Sequence, residues 1–284
     1  TYGLRGGGGS GGDDTIFYNC RITGSTQGVQ VTGSSGFMAL YIFDVCDISS
    51  INIGSGNDAL QSIQMIGGTL GGFSFDATGN ANQQTKIHLN GVEYTGTLTF
   101  PPTDDLKVSG YWNAAASTRC IVLQKATALV ATFNRVEINV TSMRRLTGAA
   151  AVAYGILIDT DCIVKQLYSR CTYQYPSSVV NAVNYIKVLG TLQAGYIADA
   201  YGLDGSNNTL EDNTAFKSID ASAGTISNSL FICSPPEYEV DVGAGTANLY
   251  IGTGTTTGTV TSYAPSSEPF VTIGNTAGLS AERA

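Results

Sequence analysis

The chain has 284 residues, only 13% of them charged, with a formal net charge of −8. Its nearest approach to a basic cluster is Arg144-Arg145, so the grouped Lys and Arg that hold phosphates are missing and no nucleic-acid partner is expected. No apolar run is long enough for membrane insertion, and the abundance of Gly, Thr, Ser, Asn and β-branched residues without a helical stripe sets the expectation of an all-β chain.

Residues 1–14 form a Gly-rich lead-in containing Gly6-Gly7-Gly8-Gly9-Ser10, with no Lys-Ser/Thr after it to make a phosphate loop. The body, 15–239, shows three apolar patterns that return in the same order. One pairs Cys20 with Ile22, Cys46 with Ile48, Thr69 flanked by Gly68 and Leu70, Val92 with Tyr94, and Val136 with Ile138. A second runs Val29/Val31, Ile51/Ile53 and Phe73/Phe75, and a third Leu40/Ile42, Ile63/Met65, Ile87/Leu89 and Leu106/Val108. Members of a pair are two apart and share one face of a strand, and the pairs recur roughly every 19 to 26 residues. The fold expected is a right-handed parallel β-helix, a solenoid that grows by adding coils, with Cys20, Cys46, Val92 and Val136 in one interior column.

Longer coils follow Ala149, where the segment from Tyr173 to Asn184 is expected to project as a loop. Residues 240–264 read as a small Gly/Thr-rich β segment and 265–284 as a connector. The six cysteines contain no C-x-x-C spacing, and Cys20 and Cys46 hold equivalent positions, so free thiols packed as small hydrophobes are expected. A protein assembled in a reducing compartment fits that usage.

Between the apolar members of the first pattern lie Arg21, Asp47, Thr69, Glu93 and Glu137, which must point outward. Tyr111-Trp112 falls between the last two. With rungs about 4.8 Å apart, Glu93 and Glu137 are expected roughly 9 to 10 Å from each other. That is close to the carboxyl separation of inverting glycosidases, about 6.5 to 9.5 Å. Glu93 and Glu137 are therefore the catalytic candidates, and Tyr111, Trp112 and Asp47 the substrate-binding ones, with Trp112 expected exposed on one strip with the two Glu, since a sugar ring stacks on an aromatic while carboxylates accept bonds from its hydroxyls. The competing reading is surface charge that only solubilises the coil, and a one-residue slip would bury Tyr111 or Trp112 instead. Lys86 with Tyr111 would be the pair for a lyase.

Asp104-Asp105 follows Pro101-Pro102 and reads as a turn, as do Asp159 and Asp161, which could otherwise hold a cation or a subunit contact. His88, the single histidine, lies on an outward face without a nucleophile motif beside it. No cofactor and no metal site is indicated.

The last residues, through Gly278-Leu279-Ser280-Ala281-Glu282-Arg283, resemble the connecting segments of bacteriophage tailspike and tail fibre proteins. Together with the coil repeat this makes the chain similar to the β-helical body of that family. The resemblance implies a homotrimer in the phage tail of the virion, assembled in the host cytoplasm beside other virion tail proteins. It also implies binding to a bacterial surface polysaccharide, with or without cleavage. The alternatives are a glycan depolymerase, hydrolase or lyase, as the main role, and an architectural shaft or secreted pectate-lyase-like β-helix.

Overall fold

The structure is a computed structural model. It describes residues 2–7, 14–24, 27–32, 39–54, 61–76, 84–113, 119–125, 132–141, 143–144, 153–175, 183–198, 200–203, 219–232, 239–251, 255–257 and 260–263. Among these the regular structure is entirely β, and every ladder between strands is parallel. Antiparallel hairpins would come from short turns, whereas parallel pairing requires the chain to travel round before it returns.

Successive strands alternate between two long sheets, each strand pairing with its counterpart one circuit earlier. The first sheet has 11 strands, from Tyr2–Gly7 through Ile51–Ile53, Leu98–Phe100 and Ala153–Ile158 to Thr255–Thr257. The second has 14, from Asp14–Tyr18 through Gln84–Tyr94 and Thr103–Trp112 to Val260–Tyr263, with the short strands Arg21–Ile22, Asp47–Ile48 and Thr69–Leu70 at one corner. Two smaller sheets of 4 and 3 strands join the later circuits. This order is compatible with the expected parallel β-helix.

Burial explains the register. In the first sheet Val29, Ile51 and Phe73 stack in one column and Val31, Ile53 and Phe75 in the next, as their spacing leads one to expect. These residues are buried, and Phe73 also meets Phe100 with ring centroids 4.9 Å apart. Each such side chain removed from water contributes about 1.5 to 3 kcal/mol.

The second sheet corrects two sequence readings. Tyr41 and Phe43, not Leu40 and Ile42, pair with Ile63 and Met65, so the inward set is shifted by one residue and Ile42 faces outward. Val136 and Ile138 continue the columns of Leu106 and Val108 rather than that of Cys46. The residue that comes after Val92 and Gly110 in the Cys46 column is Val140. Cys20 and Cys46 are equivalent, as expected: Arg21 pairs with Asp47, and the Asp47 N–H donates to the Cys20 carbonyl at 2.9 Å.

Asp104 and Asp105 lie within strand Thr103–Trp112 and not in a turn. Asp159 and Asp161 do occupy a turn, where the Asp159 carboxylate accepts from the Thr160 N–H and Asp161 meets Lys125 at 2.9 Å. Strand Tyr2–Gly7 of the Gly-rich lead-in pairs with Gln27–Thr32, and strands Glu239–Asp241, Asn248–Ile251, Thr255–Thr257 and Val260–Tyr263 extend the same two sheets. Cys20, Cys46, Cys120, Cys162 and Cys171 are free thiols. Cys233, the middle of the segment from Tyr173 to Asn184, and the connector 265–284 lie outside the described residues.

Candidate functional site

The corner between the second sheet and its short strands is shaped by a bulge. The pairing of strand Gln84–Tyr94 with Thr103–Trp112 shifts between Leu89 and Val92, so that Asn90 and Gly91 together stand opposite the single residue Ser109. Gly91 has φ +65°, and its N–H donates to the Ser109 hydroxyl at 3.1 Å. Such an insertion bends the strand and re-aims the side chains beyond it. Past the bulge Val92 and Tyr94 point inward and Glu93 points out.

One outward column results, with Arg21, Asp47, Thr69, Glu93, Tyr111 and Thr141 in register on successive strands, about 4.8 Å per step. Asp47, Glu93 and Tyr111, three of the five residues singled out from the sequence, thus share a strip. Tyr111 is 44% exposed, and its hydroxyl donates to Glu93 Oε2 at 2.6 Å. The Asn113 amide donates to Glu93 Oε1 at 2.7 Å. These two bonds, Tyr111 first, hold the Glu93 carboxyl below its ordinary range, and the Tyr111 bond pushes the phenol itself up. Each Glu93 oxygen keeps acceptor capacity for a further donor.

Trp112 is not on this strip. It is 2% exposed and packs on Tyr94 with ring centroids 5.4 Å apart. The interior column beneath the strip runs Ile22, Ile48, Leu70, Tyr94, Trp112. Tyr94 donates its hydroxyl to the Ser109 carbonyl at 2.9 Å, so the exposed Tyr111 rests on a wall that is itself pinned. The period of two decides the matter: Tyr111 and Trp112 are adjacent, and the exposed position belongs to Tyr111.

Glu137 also leaves the strip. It is in register with Lys107, and Lys107 with His88, so it stands four residues along the strand from the Glu93–Tyr111 column. Adding two rungs, its Cα lies roughly 16 Å from that of Glu93. It belongs instead to a network on the sheet's outward face. Arg135 reaches Glu137 at 3.2 Å and Asp105 at 3.8 Å, Lys107 reaches Glu137 at 3.9 Å, and His88 Nε2 lies 2.7 Å from Asp105 Oδ2. Burial holds the His88 pKa below its ordinary value despite the opposing Asp105 carboxylate. Further along the sheet, Tyr168 and Tyr196 stack at 5.0 Å with planes 10° apart.

The sequence reading missed Asn113, whose role depends on a corner no periodicity marks. It also missed the Tyr168–Tyr196 pair, whose equivalent places in successive coils were a usable signal. Among the described residues no group of three or more His, Cys, Asp or Glu could hold a metal ion. The chain matches no protein-family model, no curated protein and no solved structure.

Proposed function

We propose that this chain is the body of a phage tailspike or tail fibre, a right-handed parallel β-helix that assembles as a homotrimer on the virion. In this reading it binds a bacterial surface polysaccharide along the Asp47–Glu93–Tyr111 strip and does not cleave it. The parallel pairing of every strand ladder among the described residues supports the scaffold, and parallel crossovers within one sheet are almost always right-handed. The resemblance of the last residues to tail connectors supports the virion setting and contact with other tail proteins.

The observation that carries the binding reading is the exposed Tyr111 ring clamped by Glu93. A ring fixed before ligand arrives loses little further freedom on stacking against a sugar, and the flanking carboxylates and Thr hydroxyls supply hydrogen-bonding groups at each rung. Hydrolysis needs a carboxyl that stays protonated beside a second carboxylate, and the lyase pair is also apart, since Lys86 is in register with Asp105, roughly 20 Å along the strand from Tyr111. Glu93 is held ionised and its expected mate is too distant, so adhesion without turnover fits better.

Binding to immobilised host polysaccharide tests the strip. Tyr111→Ala is expected to weaken affinity by about 1 to 3 kcal/mol, by analogy with planar rings stacked on aromatic side chains. Trp112→Ala is expected to act on folding instead, costing about 3 to 5 kcal/mol of stability. Unchanged affinity in folded Tyr111→Ala would remove the strip.

A further inference from the structure

Seven large hydrophobic residues are exposed among the described residues, and five of them, Ile16, Tyr18, Ile66, Tyr168 and Ile232, occupy the outward face of the second sheet. Ile16 is 67% exposed and Ile66 46%. The corresponding outward column of the first sheet behaves differently: Asn52, Val122, Leu157, Asp220 and Asp241 are buried within the single chain, and Gln30, Ser74, Thr99 and Lys187 between them are half-buried. In that column none of the described residues is exposed, whereas the second sheet leaves large apolar side chains open on either side of a charged centre. We infer that the outward face of the second sheet is the surface by which this chain binds further copies of itself.

Size, charge and pattern each favour that occupant. Eleven rungs of about 4.8 Å, with strands about five or six residues wide at about 3.3 Å each, give a face of roughly 900 Å², against about 800 Å² per partner in a stable association. A chain of net charge −8 repels its own kind through most of its surface. This face, however, has Lys86, Lys107 and Arg135 set against Asp105 and Glu137, with His88 neutral, so its middle is not acidic and offers both signs to an identical surface. Apolar residues lie on either side of that charged centre, Ile16 and Ile66 toward the start and Tyr168 and Ile232 toward the end. The patch runs along the full stack of circuits, as a lengthwise contact between like solenoids requires. A lone exposed aliphatic residue would need no explanation; five confined to one face mark an interaction site.

The assignment rests on the oligomeric part of the proposed function and is independent of the glycan part. Light scattering on the full chain gives the mass of the wild type, of Ile66→Glu and Tyr168→Glu, and of Lys125→Glu as a control away from this face. The expected result is a multiple of 29.6 kDa for the wild type and the control, and a fall to 29.6 kDa in both face variants with unchanged far-ultraviolet circular dichroism. A wild-type mass of 29.6 kDa would overturn both this inference and the proposed oligomer while leaving the Tyr111 binding test standing. A wild-type oligomer unaffected by either face variant would overturn the face alone. Should a Glu variant lose its β spectrum, Ile66→Ser and Tyr168→Ser decide: a fall to 29.6 kDa supports the face, and an unchanged oligomer mass overturns it.

Discussion

At the scale of single residues, the corner column alternates side chain and glycine. Cys46, Gly68, Val92, Gly110 and Val140 succeed one another, and the glycines are required by contact as well as by conformation. A Cβ on Gly68, at φ +75°, would sit 2.0 Å from the Cys46 carbonyl oxygen, and one on Gly110, at φ +140°, 2.0 Å from that of Val92. Gly110→Ala is expected to destabilise the chain by about 2 to 4 kcal/mol, adding overpacking to left-handed strain, and a urea melt of the variant reads it directly. The thiols supply a second check. Burial pushes Cys120 and Cys162 up to about 12, whereas Cys20 is partly exposed. Of the five described cysteines Cys20 should therefore be alkylated first in the native protein, with the others reacting only on unfolding, which peptide mass spectrometry resolves. Early labelling of Cys120 or Cys162 would contradict their placement. The sequence turned Asp47 and Glu93 outward, as the structure does, because strand alternation alone sets which way they face. It misplaced Trp112 for lack of a marker for the exposed member of an aromatic pair, and Glu137 because coils of unequal length hide which valine continues a column.

Among the strands, an inward set is plain where only one face is apolar, as in Val29/Val31, Ile51/Ile53 and Phe73/Phe75. In Ala39–Asp44 every residue from Leu40 to Phe43 is apolar or aromatic, so alternation cannot choose, and the inward pair proves to be Tyr41 and Phe43. The ambiguity has a physical origin: Ile16, Ile42 and Ile66 point outward, so apolar residues stand on both faces of these strands. Further along the same sheet His88 gives an expectation for pH. Desolvation keeps its folded pKa below the unfolded value of about 6.5. The unfolded chain therefore binds the proton first, and stability falls as pH drops through about 6.5 toward the folded value. Urea melts at pH 7.5 and 5 should show a larger loss in the wild type than in His88→Gln, and equal losses would mean that His88 is not held neutral by the fold.

For the whole molecule, parallel pairing runs from Tyr2–Gly7 to Val260–Tyr263, and both the Gly-rich start and the Gly/Thr-rich segment contribute strands to it. Composition and periodicity were enough to anticipate an all-β chain of parallel strands, since the apolar pairs repeat one local rule. They were not enough to find the corner, because the bulge at Asn90-Gly91 breaks the rule at the place where Glu93 and Tyr111 are brought together. The function proposed for this corner is binding without chemistry, in a molecule whose exposed aromatic is braced by a carboxylate held ionised. Its most direct test is a titration of the wild-type protein with purified host polysaccharide in which bound glycan and newly formed reducing ends are measured in the same samples. The expected result is saturable binding with a flat reducing-end signal. Reducing ends that rise with time and disappear in Glu93→Gln, or the lack of any saturable binding, would contradict it.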